Sequence, residues 1–181
     1  MKEISLPMVY RGREYVDGAL PKGDPSDDYT EDLSIVERNC SKIISAAIII
    51  EDRMISAVSK IIFTKDNQYQ NFFVNEIMGT SDSTYVFKRR VFTRLIENFQ
   101  LMETDRIKKL KAELNKVMSW RNAFAHGKLV HEHNGGFILE YYSGGSKDLL
   151  LDNRFFDKAE ETIRYCVREC DSLILSRLIK R

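Results

Sequence analysis

The sequence has 181 residues, 43% of them hydrophobic and 30% charged, which is typical of one globular domain with a substantial core. Its net charge of +1 excludes a uniformly basic protein, so any contact with RNA or DNA would need a local basic patch. The longest uncharged, mostly apolar run is residues 43–50, far shorter than the roughly 20 residues of a membrane helix, and we expect no membrane contact.

Residues 1–29 contain all three prolines of the chain and predict an extended N-terminal arm, with one short strand within residues 4–15. The sequence then predicts a mainly helical domain over residues 30–181. Thr30, followed by two acidic residues, predicts the N-cap of a long helix that ends near Phe63. Its apolar residues recur every three or four positions, and a second apolar set widens the stripe. Such a helix packs on two sides, either centrally in a bundle or across a subunit interface.

Further helices are predicted over residues 71–78, 84–100 and 104–127, the last one ending at Gly127, a suitable helix-stop residue. The helix over residues 84–100 has Phe92, Leu95, Ile96 and Phe99 on one face. The periodicity then changes to alternation over residues 128–133, 137–142 and 147–151, with glycine-containing turns between them. Asp152 or Asn153 caps a final helix that ends near Ile179. Its predicted inner face contains Phe156, Ala159, Ile163, Val167, Cys170, Ile174 and Leu178. The predicted fold is a helical bundle with a small antiparallel hairpin or three-stranded flap before the last helix.

The chemically informative segment is the end of the helix before the flap, Trp120-Arg121-Asn122-Ala123-Phe124-Ala125-His126-Gly127. Arg121 continues the apolar stripe of this helix, at a position where a core residue is expected. Asn122 and His126 are four residues apart and share a face. His126 lies in the last turn, where the helix dipole favours its protonated form. A histidine can transfer protons near neutral pH, and an arginine fork matches phosphate oxygens, so the pair suits phosphodiester cleavage.

A structural interpretation competes with this one. Arg and His near a helix C-terminus are stabilised by the dipole alone, and Gly127 is an ordinary helix end. One fixed spacing between an arginine and a histidine also arises readily by chance. Spacing alone therefore favours the structural role, and the surrounding layout must carry the functional one.

The segment Arg121-Asn122-Ala123-Phe124-Ala125-His126-Gly127 resembles the motif of the HEPN superfamily, which has Arg, a polar residue, a short gap and His at a helix end. The layout of a long first helix, the motif on a later helix and a final returning helix is similar as well. The resemblance implies a cytoplasmic, metal-independent endoribonuclease of a toxin–antitoxin or phage-defence system. It also implies a homodimer with a composite active site, an RNA substrate, an antitoxin or regulatory partner, and no cofactor or metal. Arg121 would stabilise the phosphate, His126 would act in acid/base catalysis, and Asn122 would orient them.

Two features leave an alternative open. Residue 128 is lysine, so the tyrosine that follows the histidine by two residues in the nucleotidyltransferase-paired branch is absent. The superfamily also has non-catalytic members, and residues 84–127 resemble helical proteins of the mannitol operon repressor type. The alternative is a non-catalytic dimeric regulatory or scaffolding module, in which Arg121 would pair with a buried acid.

Weaker signals lie elsewhere in the sequence. Three cysteines without framework spacing fit a reducing cytoplasm, and we expect Cys166 and Cys170, four residues apart on a predicted helix, to be small buried side chains. His131 and His133 share a strand face, but without a third ligand we expect exposed hairpin polarity. Basic clusters and the tyrosine pair 141–142 are usually solvated surface or strand residues, and RNA contact is the alternative for both. The basic clusters are Lys88-Arg89-Arg90, Arg106 with Lys108-Lys109-Lys111, and Lys180-Arg181.

Overall fold

The structure is a computed structural model that describes residues 9–10, 27–63, 68–132 and 136–179. Over these ranges it contains five α-helices, one π-helical segment and four strands. In chain order they are β1 (Val9–Tyr10), α1 (Asp27–Ile62), α2 (Gln68–Phe72), the π-helical segment (Phe73–Met78), α3 (Tyr85–Asn98), α4 (Thr104–His126), β2 (Lys128–Glu132), β3 (Gly136–Tyr142), β4 (Ser146–Leu150) and α5 (Asn153–Ile179). The predicted class, mainly α with a small antiparallel sheet before the last helix, is confirmed.

The sheet has the strand order β1-β2-β3-β4. Strands β2, β3 and β4 pair antiparallel, and β1 adds a short parallel pairing in which Val9 lies opposite Val130. Alternate residues of β3 are buried, namely Phe137 and Leu139, as expected for a sheet with one covered face. The turn before β4 contains Gly144 and Gly145 at positive φ, a conformation that other residues rarely adopt.

Side-chain caps account for two of the helix starts. The Thr84 hydroxyl accepts a hydrogen bond from the Phe87 N–H at 3.3 Å, and Asp152 Oδ1 accepts one from the Phe155 N–H at 2.8 Å. The predicted cap at Thr30 is wrong, because α1 begins three residues earlier, at Asp27. Residues 27–29 are therefore helical rather than part of an extended arm. Asp27 and Asp28 extend the acidic run that favours a helix N-terminus, which explains the earlier start.

The chain divides into two compact units, and each is described by itself. The first comprises Met1–Ile44 and Trp120–Lys158, within which the structure describes β1, the beginning of α1, the end of α4, strands β2–β4 and the beginning of α5. Its buried apolar side chains come from the helix segments and from the covered face of the sheet. They include Val36, Ile43, Ala123, Val130, Phe137, Leu139, Leu151 and Phe155.

The second unit comprises Ser45–Ser119 and Ala159–Arg181 and is helical over the residues that the structure describes. Its core is built from α1, the π-helical segment, α3, α4 and α5, and the largest fully buried side chains include Ile50, Met54, Met78, Phe92, Ile96, Leu110 and Leu114. Polar contacts also lie within this core. The Tyr85 hydroxyl donates to the Leu114 carbonyl oxygen at 3.3 Å, and the buried Lys88 ammonium donates to Glu51.

The buried face of α5 was predicted only in part. The apolar periodicity placed Ile163, Val167 and Ile174 inward, but all three are partly exposed. Ala159 and Cys170 are buried as predicted, and the other buried residues of α5 in this unit are Thr162, Cys166, Glu169 and Leu173. Thr162 can be buried because its hydroxyl donates to Glu113 Oε2 at 2.9 Å.

The end of α3 also departs from the prediction. Phe99 was expected on the inner face with Phe92, but α3 ends at Asn98 and the Phe99 side chain is 65% exposed. No helix in the described ranges is long and apolar enough to cross a membrane.

Candidate functional site

Aromatic packing fixes the end of α4 within the first unit. Trp120 and Phe124 are four residues apart and therefore lie on one face of the helix. Both rings meet Phe155, at centroid distances of 5.6 and 6.1 Å. Phe155 lies in the first turn of α5, where the Asp152 cap fixes the backbone. This contact orients the helix so that Arg121, Asn122 and His126 occupy other faces.

Gly127 allows the helix to end directly against the sheet. Its N–H donates to the Ala123 carbonyl oxygen at 2.6 Å and closes the last turn. A Cβ atom at this position would collide with that same oxygen and would lie 3.0 Å from the Glu140 carbonyl oxygen. Glycine is required here by close approach, and β2 begins at the next residue, Lys128.

Arg121 lies on the predicted continuation of the apolar stripe but is only half-buried. Its Nη1 donates to Asn122 Oδ1 at 3.1 Å, which is the only hydrogen bond of this guanidinium within the described part of the chain. No carboxylate pairs with it there. An arginine carries five N–H donors, so most of the fork is available to a ligand.

His126 is the last residue of α4, and its side chain is exposed. Its imidazole has no hydrogen-bond or ion-pair partner among the residues described. It lies five positions after Arg121 in the helix, which places the two about 140° apart around the axis and about 7.5 Å apart along it. The helix thus brings Asn122 to Arg121 but holds His126 on a different face. A single copy presents a guanidinium and an imidazole at one helix end, without direct contact between them.

The sequence did not single out Phe155, which positions this helix end. The apolar pattern placed its neighbour Phe156 on the inner face, whereas Phe155 is the more buried of the two. The cap at Asp152 could have identified it. A helix that starts at Asn153 fixes the position of each following residue around the helix axis.

The flap shows how the weaker candidates are placed. His131 lies opposite Phe137, and their rings are 4.9 Å apart, so this histidine makes a packing contact. His133 lies outside the described residues. The Tyr142 side chain is 82% exposed, whereas Tyr141 is partly buried. No group of three or more metal-ligand side chains occurs in the ranges that the structure covers.

The predicted basic clusters lie in the second unit, and four of their seven described residues pair with acids. Lys88 is buried and paired with Glu51, so it is no surface residue. The remaining pairs are Arg106–Glu169 at 2.6 Å, Lys108–Asp105 at 3.2 Å and Lys111–Glu97 at 2.6 Å. Arg89, Arg90 and Lys109 form no ion pair with the carboxylates of the described chain. Residues 180–181 lie outside the described residues.

The cysteines are free thiols, as predicted. Cys166 and Cys170 are fully buried on α5, and Cys40 is half-buried. Burial raises the pKa of Cys166 and of Cys40 to about 12, and raises that of Cys170 still further. Thiols in such surroundings stay protonated and unreactive at neutral pH, which is consistent with a packing role.

Comparison with known proteins returned no match to the chain among protein-family models, curated proteins or solved structures. The motif and the geometry around it therefore carry the functional interpretation.

Proposed function

We propose that the chain is a metal-independent endoribonuclease of HEPN type that cleaves single-stranded RNA as a homodimer, in the setting of a toxin–antitoxin or phage-defence system. The observation that supports this most is the state of Arg121. A buried cation normally requires an acidic partner, yet the half-buried Arg121 guanidinium has only the Asn122 amide as a hydrogen-bond partner within the described chain. The Arg121 guanidinium keeps unused N–H donors, and it lies at the same helix end as the exposed His126.

The chemistry follows from these two groups. An imidazole removes the proton of the ribose 2′-OH, and the 2′ oxygen forms a bond to phosphorus. The bond from phosphorus to the 5′ oxygen breaks, and a protonated imidazole donates a proton to that leaving oxygen. Arg121 binds the nonbridging oxygens and stabilises the charge that develops on them. The products are a 2′,3′-cyclic phosphate and a 5′-hydroxyl, and no metal ion takes part.

The second imidazole is supplied by dimerisation, because one copy contributes a single motif. Helix α1 offers an exposed apolar surface suited to protein contact. Its adjacent residues Ile48 and Ile49 are 53% and 50% exposed. In this proposal, the exposed isoleucine pair lies in the contact between the two copies.

The test compares site variants with matched controls in cleavage of a labelled single-stranded RNA. Arg121→Ala and His126→Ala should each lower the rate by at least about 100-fold, the usual contribution of such a group. Arg154→Ala and His131→Ala remove the same side-chain types from elsewhere in the first unit and should retain activity. Cleavage that survives in both site variants would end the proposal.

The alternative is a non-catalytic dimeric regulatory or scaffolding module of HEPN or mannitol-repressor type. The engagement of the basic clusters with acids favours it, since paired lysines and arginines contribute little to RNA binding. A thermal melt of Arg121→Ala separates the two interpretations. A clear loss of stability would indicate the structural role that this alternative assigns to Arg121.

A further inference from the structure

One aromatic ring in the second unit carries two cations. The Lys109 Nζ atom of α4 lies 4.7 Å from the centroid of the Tyr165 ring, and the guanidinium carbon of Arg168 lies 5.6 Å from the same centroid. Both cationic residues are exposed. The Tyr165 hydroxyl oxygen is buried and makes no hydrogen bond within the described chain, and the two cations lie over the ring. Attraction to the ring holds each cation in place.

The carboxylates near this ring are already occupied. Glu169 accepts from Arg106 at 2.6 Å. Glu113, one turn after Lys109 on α4, accepts from Lys116 at 2.7 Å and from the Thr162 hydroxyl at 2.9 Å. Neither Lys109 nor Arg168 forms an ion pair with a carboxylate among the described residues, although Lys109 is close enough to Glu113 to interact with it electrostatically. This local group therefore has an excess of positive charge, although the chain as a whole is nearly neutral.

From this geometry we infer that Lys109 and Arg168, held over the Tyr165 ring, bind phosphate groups of an RNA backbone. The inference rests on the proposed function, for which it names a substrate-binding surface. Both charges are fixed by one ring and exposed, so little freedom is lost when they meet a polyanion. Arg168 can bind phosphate oxygens through two donors, and Lys109 acts as a point charge. Contact with phosphates alone makes the binding independent of base sequence.

The experiment measures RNA binding by the full-length His126→Ala protein, in which the substrate stays intact. A fluorescent single-stranded RNA is titrated in EDTA at several salt concentrations. In this background, Lys109→Ala with Arg168→Ala should weaken binding about tenfold at low salt and make it less salt-dependent, because two phosphate contacts are lost.

The matched control is Lys108→Ala with Arg164→Ala, which removes the same two charges from the same two helices. These residues pair with Asp105 and Glu160, and their affinity change should stay within about twofold. A comparable loss in this control would overturn the inference, since only net charge would matter. Unchanged binding in the Lys109/Arg168 variant, or no binding by the parent, would overturn it as well.

Folding and activity are checked separately. If the double alanine variant melts at a lower temperature, Lys109→Gln with Arg168→Gln replaces it, because glutamine keeps the aliphatic stems that pack on the ring. Cleavage is assayed with His126 intact. RNA binding that depends on Lys109 and Arg168 in a protein without cleavage activity would support this surface while removing the nuclease proposal.

Discussion

Lys88 and Arg121 both lie on apolar helix stripes, but their charges have different partners. Lys88 is 5% exposed and donates to Glu51, so its charge is compensated within the core. Arg121 is half-buried, and the Asn122 amide is its only described contact. The first arrangement stabilises the fold, and the second leaves the charge available to a ligand.

The two cations should therefore differ in their effect on stability. Lys88→Met leaves the Glu51 carboxylate without its partner and should lower the free energy of unfolding by about 2–4 kcal/mol. Arg121→Met should change it by less than about 1 kcal/mol, as is usual for residues outside the core. Urea denaturation of both variants checks this. Equal losses would contradict the functional assignment of Arg121.

The close approach of α4 to the sheet at Gly127 can be tested by substitution. Gly127→Ala should lower the free energy of unfolding by about 1–3 kcal/mol, because the new methyl group collides with the Ala123 carbonyl oxygen and the backbone must shift. Ser119→Ala at an exposed position of α4 serves as the control and should change the free energy of unfolding by less than about 0.5 kcal/mol. A Gly127→Ala protein as stable as wild type in the same denaturation experiment would show that the approach is looser.

At the scale of helices and strands, α5 contains two thiols whose titration is linked to folding. Burial raises the pKa of Cys166 from 9.0 to about 12 and raises that of Cys170 in the same direction. In the unfolded chain both thiols lose their protons near the ordinary value. The stability that they contribute is thus fully present below about pH 9 and is lost as the pH rises towards 12.

The measurement is the free energy of unfolding between pH 8 and pH 11. For wild type it should fall with pH, by up to about 1.4 kcal/mol per pH unit for each thiol. Cys166→Ala with Cys170→Ala should show a smaller slope, whatever its stability at pH 8. Identical slopes in the two proteins would show that these thiols do not account for the dependence.

The exposed isoleucine pair on α1 is the proposed dimer contact, and substitution tests it. Ile48→Asp places a charge on the exposed isoleucine pair and should weaken the dimer at least about tenfold, measured by light scattering after size exclusion. Leu175→Asp on α5 is the matched control, since Leu175 is 56% and Ile48 53% exposed. Dissociation in the control but not in Ile48→Asp would move the dimer contact away from α1.

Elements with local signals were predicted well. The Asp152 cap, the glycine at the end of α4 and the alternation of β2–β4 all depend on neighbours in sequence, and they lie where predicted. The buried face of α5 was predicted only in part because it depends on distant partners. Thr162 is buried against Glu113, a contact that no local pattern contains.

For the whole molecule, the mainly helical fold with its small sheet followed from periodicity, and the position of the motif at a helix end followed from its apolar stripe and glycine. The pairing of basic residues with acids could not be predicted from the sequence, because Arg106–Glu169 and Lys111–Glu97 join different helices. The sequence also did not predict that Lys109 and Arg168 lie over the same Tyr165 ring. A nearly neutral chain can thus contain a local positive surface that its composition conceals.

We propose that His126 performs metal-independent cleavage through the ribose 2′-OH. Incubation of the protein with total cellular RNA in EDTA is the direct test of this claim. Wild type should produce fragments that end in a 2′,3′-cyclic phosphate, and His126→Ala should leave the RNA intact. Intact RNA with a confirmed wild-type dimer, or equal cleavage by both proteins, would contradict the claim.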